Sequence, residues 1–412
     1  MPASRARLGV IFFTVLIDLI GFGIVLPILP YYATRFGAAG LGYGAIIGVF
    51  SLMQFVATAL LGKVSDRVGR RPVLLTTMLI NAVGYTLFAF AGSYWVLFLA
   101  RVVSGFAGGN ISAAQAYIAD ITTPKERSRG MGMIGAAFGI GFSLGPAIGG
   151  FAAHWGGPAA PGLVAVVLSL ANFVSAYFIL PESLSHEHRR QRSLFDLGHI
   201  GEAIARPKLR PLMAVWALVP IAFAGYTVAL PLYAAVTLGW TERELAILFT
   251  IIGVTAASVQ GYLFGKLVRR TGERMLVMIG TFGMALAISI IPLVHTSALL
   301  YAWTFVLAAA NSVFAPAATG LVSVYADPTE QGTVLGAAQA IAALGRTVGP
   351  PLIGEVYDLV NPTTAFVVAG AVMIIAGLAS LRLAPVTHAP ATGHPPPAPP
   401  VPSVPPPPPA ES

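Results

Sequence analysis

Long apolar runs, each closed by Gly, Pro or charged residues, recur along almost the whole chain. They fall near 8–32, 41–61, 73–92, 95–118, 130–153, 160–181, 211–237, 243–267, 274–292, 297–321, 332–356 and 362–383. A helix needs about 20 residues to cross the hydrocarbon core of a bilayer. The twelve runs therefore predict an all-α membrane protein with twelve transmembrane helices. Arg5 and Arg7 ahead of the first run have the layout of a signal peptide, but the run continues through Asp18 and Pro27 without a small-residue cleavage site. It is read as the first span.

The polar segments between the runs orient them. With both termini in the cytoplasm, 20 of the 24 Lys and Arg fall in inner segments, Arg35 and Arg243 in outer loops, and Arg101 and Arg346 within spans. Cytoplasmic loops hold the excess of Lys and Arg, and one missed span would swap the sides of everything after it. The longest internal polar segment, 182–210, separates six spans from six and reads as a cytoplasmic linker. This divides the chain into a six-helix bundle over 1–181, the linker, a second bundle over 211–383, and a tail over 384–412. The last 28 residues hold 13 of the 32 prolines, so the tail is expected to be extended and disordered.

Composition agrees with a lipid environment. Hydrophobic residues make up 56% of the 412 and charged residues 10%, the mean hydropathy is +0.79, and soluble domains carry about 25% charge. The formal charge of +8 is dispersed between apolar runs, which fits membrane topology and not a nucleic-acid surface. No cysteine is present, excluding disulfide and thiolate chemistry. No phosphate-binding glycine loop, metal-ligand cluster or nucleophile constellation occurs, and His154, His199 and His295 are isolated. Neither an enzyme, a cofactor nor a metal is expected, and an ion gradient is the expected energy source.

Shifting the chain by 204 residues superposes its halves at several points. Gly21-Phe22 and Leu26-Pro27 meet Gly225-Tyr226 and Leu230-Pro231, while Glu126, Gly132 and Gly145-Pro146 meet Glu330, Gly336 and Gly349-Pro350. With a shift of 203, Gly62-Lys63 and Gly69 meet Gly265-Lys266 and Gly272. Internal duplication marks transporter folds that rock two halves around a midplane site.

The segment between spans two and three carries Gly62, Asp66, Arg67, Gly69, Arg70 and Arg71-Pro72. Glycines there permit a tight turn and close helix approach, and Asp66 can face a helix N-terminus or an arginine. This spacing resembles the signature loop of the major facilitator superfamily, which implies two pseudo-symmetric six-helix bundles latched at their cytoplasmic ends by this loop. Span five carries Gly139, Gly141, Gly145-Pro146 and Gly149-Gly150, similar to the motif associated with antiporters in that superfamily. A packing role and a role in setting direction are both open for it. Asp18 through Pro30 in span one, Arg101 and Gly105 in span four, Tyr117 to Asp120 at its end, and Pro181-Glu182-Ser183 after span six resemble the tetracycline-exporter branch of the proton-coupled drug antiporters. One departure stands out. Gly84 occupies the span-three position where those exporters carry an acid, and span nine has no carboxylate, so the resemblance does not bring tetracycline over as the substrate.

The charged residues inside spans are the candidates for chemistry. An ionised Asp at mid-bilayer costs on the order of 3 kcal/mol on insertion scales, and the repeat partner of Asp18 is Ala222, so duplication does not explain it. Asp18 is the expected proton-coupling carboxylate; a helix-cap or packing role near the membrane edge is the alternative. By the resemblance Arg101 is tied to proton exchange, with backbone hydrogen bonding as its alternative. Asp120 and Arg70 are expected to pair near the cytoplasmic face. Arg346 in span eleven aligns with Phe142 in the first half and either attracts an anionic or zwitterionic substrate, pairs with an acid such as Asp18, or satisfies a broken helix. Gln54, Asn110, Gln115, Asn311 and Gln339 are neutral polar groups within spans, some of which should line the cavity. Two functions stay open: a proton-driven exporter of small amphipathic compounds in the bacterial inner membrane, and a symporter or uniporter for a sugar or organic acid. The expected partners are a small-molecule substrate, protons and the lipid bilayer, with no nucleic acid and no obligatory protein partner.

Overall fold

The computed structural model describes residues 2–122, 124–183, 206–326 and 330–385. The expected first run is two helices, α1 (Pro2–Val25) and α2 (Leu29–Arg35). Pro27 lies in the break, and Pro30 opens α2, where its missing N–H leaves no bond unmade. There follow α3 (Gly40–Val68), α4 (Arg70–Ala89), α5 (Tyr94–Ala107), a short 3-10 turn (Gly108–Asn110), α6 (Ile111–Ile121), α7 (Pro124–Gly156) and α8 (Ala160–Ile179). The second half runs α9 (Arg210–Ala224), a π-turn (Gly225–Ala229), α10 (Leu230–Leu238), α11 (Glu242–Ser258), a second π-turn (Val259–Leu263), α12 (Phe264–Ile290), α13 (Ser297–Tyr325), α14 (Gln331–Leu359) and α15 (Pro362–Leu381).

Nine stretches of the described chain are long and apolar enough to cross a membrane. One of them, Glu242–Leu293, spans 52 residues and is bent into two legs at Gly272, whose φ is +74°. The break falls where the repeat places the counterpart of Gly69, whose φ is +112°; both values lie in the left-handed region open to glycine. α7, at 33 residues, and α14, at 29, are further long helices, and the arrangement is consistent with the twelve expected spans. Of the expected linker, residues 184–205 lie outside the described residues, as do 386–412 of the expected tail.

Packing repeats between halves. α1 packs on α7 and α8, and α4 on α5 and α8; correspondingly α9 packs on α14 and α15, and α12 on α13 and α15. Each half has its own apolar interior, one built between Ile11 and Leu180, the other between Leu209 and Leu383, and a third cluster joins Ile24 to Ala165 of the first half with Val228 and Leu232 of the second. The halves meet where α3 lies on α14 and α7 on α11.

One end of the bundle carries the basic segments around 63–71, 206–210 and 266–274, and is called here the basic end. The close approaches between halves lie toward the opposite end. There the Asp358 carboxylate accepts from the N–H groups of Gly40 (3.0 Å) and Leu41 (2.7 Å), the first turn of α3. Tyr31 donates to the Trp240 carbonyl at 2.9 Å and Tyr43 to that of Thr227 at 3.3 Å. Gly44 and Gly48 bring the α3 backbone against Pro350, Thr347 and Pro351, so that any Cβ would collide. The contacts between halves described here thus gather toward the opposite end.

Candidate functional site

Asp18 sits two-thirds of the way along α1, near the middle of the first apolar run, and two amides from other elements converge on it. Asn110 Nδ2 donates to Asp18 Oδ2 at 2.7 Å, and Asn172 Nδ2 donates both to Asp18 Oδ1 at 3.3 Å and to the Thr14 carbonyl at 2.9 Å. Asn110 reaches it because the crossing α5–α6 breaks into a 3-10 turn at Gly108–Asn110, where Gly109 lets the chain lie against Ala57 of α3. Asn172, 1% exposed on α8, was not singled out in the sequence; an Asn inside an apolar run was the available signal. One turn along α1, the Tyr85 hydroxyl accepts from Asn81 Nδ2 at 3.3 Å and lies 3.0 Å from where a Cβ on Gly21 would stand. Asp18 thus has neutral donors on both oxygens and, among the described residues, no cation in ion-pair distance. Such a site can hold the carboxylate ionised or, by losing those donors' charge-assisted bonds, accept a proton.

Arg101 does not join this group. It is 3% exposed on α5, with its guanidinium carbon 4.2 Å from the Phe50 ring centre and 5.7 Å from that of Phe22. Those two rings are 5.0 Å apart, and Arg101 Nε has no hydrogen-bond partner. The aromatic faces supply the cation's contact, worth up to about 2 kcal/mol where desolvated. The alternative of backbone hydrogen bonding is not met at Nε; the rings of Phe22 and Phe50 hold the charge instead.

The neutral polar candidates divide. Gln54 donates to the Gly108 carbonyl at 3.4 Å and so braces the 3-10 turn that presents Asn110. Gln115 on α6 and Gln339 on α14 are exposed, and Asn311 on α13 is half-buried. Arg346 is exposed in mid-α14 and forms no ion pair with Asp18.

At the basic end, Arg70 gathers the loop. Its guanidinium pairs with Asp66 at 2.5 Å and Asp120 at 3.2 Å, and donates to Ser65 Oγ at 2.6 Å and the Gly62 carbonyl at 3.5 Å. The Glu182 carboxylate accepts from the N–H groups of Arg70 (2.9 Å) and Arg71 (3.2 Å), capping α4. A side chain on Gly69 would strike that carboxylate. Arg67 is exposed and outside this network. Every partner just named belongs to the first half, so in this conformation the loop ties α3, α4, α6 and the end of α8 together.

The glycines of α7 have one dominant neighbour. Gly141 faces Leu19, Gly145 faces Gly23 and Ile20, and Gly149 faces Ile24, all on α1, while Pro146 lies beside Gly23. Gly150 instead faces Ala246 of the second half. The motif therefore seats α1, the helix bearing Asp18, against the helix that touches the other half.

Two helical bundles duplicated in sequence, with a hydrogen-bonded acid inside an apolar span and inter-half contacts gathered toward one end, define a membrane transporter. The family model of the Major Facilitator Superfamily matches residues 11–294 and 235–407, and the chain belongs to that superfamily. It is 29% identical over 357 residues to the tetracycline resistance protein, class E, of Escherichia coli, covering 85% of this chain and 87% of that one. It is 29% identical over 366 residues to multidrug resistance protein 2 of Bacillus subtilis, with 88% and 91% covered. The crystal structure of the human organic anion transporter MFSD10 (TETRAN) superposes with a TM-score of 0.70 at 25% identity, covering 92% of this chain and all of that one.

Proposed function

We propose that the protein is a proton-coupled antiporter that exports small amphipathic compounds across the bacterial cytoplasmic membrane by alternating access, with no cofactor. The basic end faces the cytoplasm, as the distribution of Lys and Arg favours, so both termini are cytoplasmic and the described conformation is open inward. Cargo enters from the basic end while Asp18 gives up its proton; the halves then close there and part at the opposite end, where a proton returns and cargo leaves. The observation that carries this reading is Asp18 itself, an acid at mid-depth held by two neutral amides, poised between two charge states. The similarity to tetracycline and multidrug resistance proteins supports export.

The test is movement of a lipophilic dye in proteoliposomes under an imposed pH gradient. Wild-type protein is expected to drive uphill movement that vanishes when the gradient is dissipated, and Asp18→Asn is expected to abolish it. Uphill movement by Asp18→Asn that still collapses with the gradient overturns the assignment. A second reading, a symporter or uniporter for an organic acid, draws on the likeness to MFSD10, named an organic anion transporter; it predicts uptake that survives Asp18→Asn.

A further inference from the structure

One cation inside the spans of the second half, Arg346, has no ion-pair partner among the described residues. Arg346 lies 15 residues from the first residue of α14 and 13 from the last, about 20 Å of helix from either end, too far for its side chain to reach an interface. It is nevertheless exposed, and it takes part in none of the ion pairs found among the described residues.

The direction in which it points follows from its neighbours around α14. Gly345 and Gly349 pack on α9, against Ala217 and Ile221. Thr347 and Pro351 pack on α3 of the first half, at Gly48. Two open faces remain between those contacts. One carries Leu344, Val348 and Leu352, exposed at 46%, 54% and 45%, an apolar stripe suited to lipid. At about 100° per residue, Arg346 stands about 160° around the helix from Val348, and Gln339, two turns earlier, stands within about 20° of Arg346. Both polar residues are exposed on that face, and Pro350, one turn further on, presses against Gly44 of the other half. The polar face of α14 therefore looks into the gap between halves, just inside the seal.

Charge in the spans adds to this. Arg101 and Arg346 stand at mid-span against the single mid-span acid Asp18, among the described residues. Arg101 is covered by its two rings and Asp18 is engaged by its amides, leaving Arg346 as the charge a cargo meets. A desolvated guanidinium without a counterion is costly in lipid, and its fork of donors fits a carboxylate or sulfonate.

We propose that Arg346, with Gln339 two turns away on the same face, is an anion-recognition site in the central cavity, so that preferred cargoes are amphipathic molecules bearing a carboxylate or sulfonate. This rests on the transporter reading above, and the experiment separates the two. Purified full-length protein in nanodiscs, with no gradient, is titrated with 1-anilinonaphthalene-8-sulfonate and with N-phenyl-1-naphthylamine, which share a skeleton and differ by the sulfonate. Arg346→Gln is expected to weaken binding of the sulfonate at least about tenfold and leave the neutral amine unchanged, while Arg346→Lys retains most of the preference. Equal binding of the sulfonate by wild type and Arg346→Gln, or equal losses for both probes, overturns the proposal. Because no pH gradient is used, failure of proton coupling through Asp18 leaves this measurement standing.

Discussion

Gly84 lies where α4 touches α5: a Cβ there would strike Ser104 Oγ and come within 3.1 Å of the Ser104 nitrogen. The glycine that stands in place of the exporters' acid is thus a contact that a side chain would wedge apart. Overpacking of this kind costs about 1–3 kcal/mol. Gly84→Asp is expected to lower the thermal midpoint of the purified protein and to confer no tetracycline resistance on expressing cells; undiminished stability would refute the contact. Asn172→Leu keeps the volume but takes the donor from Asp18 Oδ1. We expect a folded protein whose gradient-driven transport is severely reduced, checked by thermal unfolding and dye flux on the same preparation. Asp18 was legible in the sequence because a lone acid in an apolar run is expensive and draws the eye. Asn172 was not, because a neutral amide in a span serves equally to hold helices together, and only the fold shows that it points at the acid.

At the scale of elements, the seal at the opposite end rests on α3 meeting α14. Asp358 places a carboxylate on the first turn of α3, where unpaired N–H groups and the helix dipole favour an anion. Removing such a cap costs about 1 kcal/mol, a change of about fivefold in the balance between closed and open forms. The chain has no cysteine, so a single Tyr43→Cys substitution reports on the seal without further engineering. Adding Asp358→Ala to that variant is expected to raise labelling by a membrane-impermeant thiol reagent severalfold from the side of the opposite end; unchanged labelling would mean that the glycine contacts alone hold it. Element number and the turn at Gly272 were readable from apolar run length and from the repeat. The joining of the runs 243–267 and 274–292 into one nearly continuous helical stretch around Gly272 was not, since a glycine marks where the chain can bend and leaves open how far the helix persists around it. Asp358 escaped notice because it sits at a span end, where acids are common and its partners are backbone groups of a distant helix.

For the whole molecule, the duplication was legible as matched glycines and prolines 203 or 204 residues apart. Which end is shut was not: the two states of a rocking transporter keep the same interior contacts within each half and differ by a small free energy. One apolar interior is drawn from residues 11–180 and another from 209–383, while a third joins residues 24–165 to Val228 and Leu232 toward the opposite end, where the cross-half hydrogen bonds described also gather. Halves with separate cores should fold without a covalent link. A tether contributes chiefly effective concentration, on the order of millimolar for a short flexible one, and confinement of both partners to one bilayer supplies much of that by itself. Cutting the chain between Arg192 and Ser193 and producing the two pieces in one cell is therefore expected to give halves that copurify and restore gradient-driven export, whereas either piece alone transports nothing. If the pieces are each stable in the membrane but never associate, the seal between α3 and α14 is too weak to define the closed state, and the segment joining the bundles must supply what those glycine contacts were assigned.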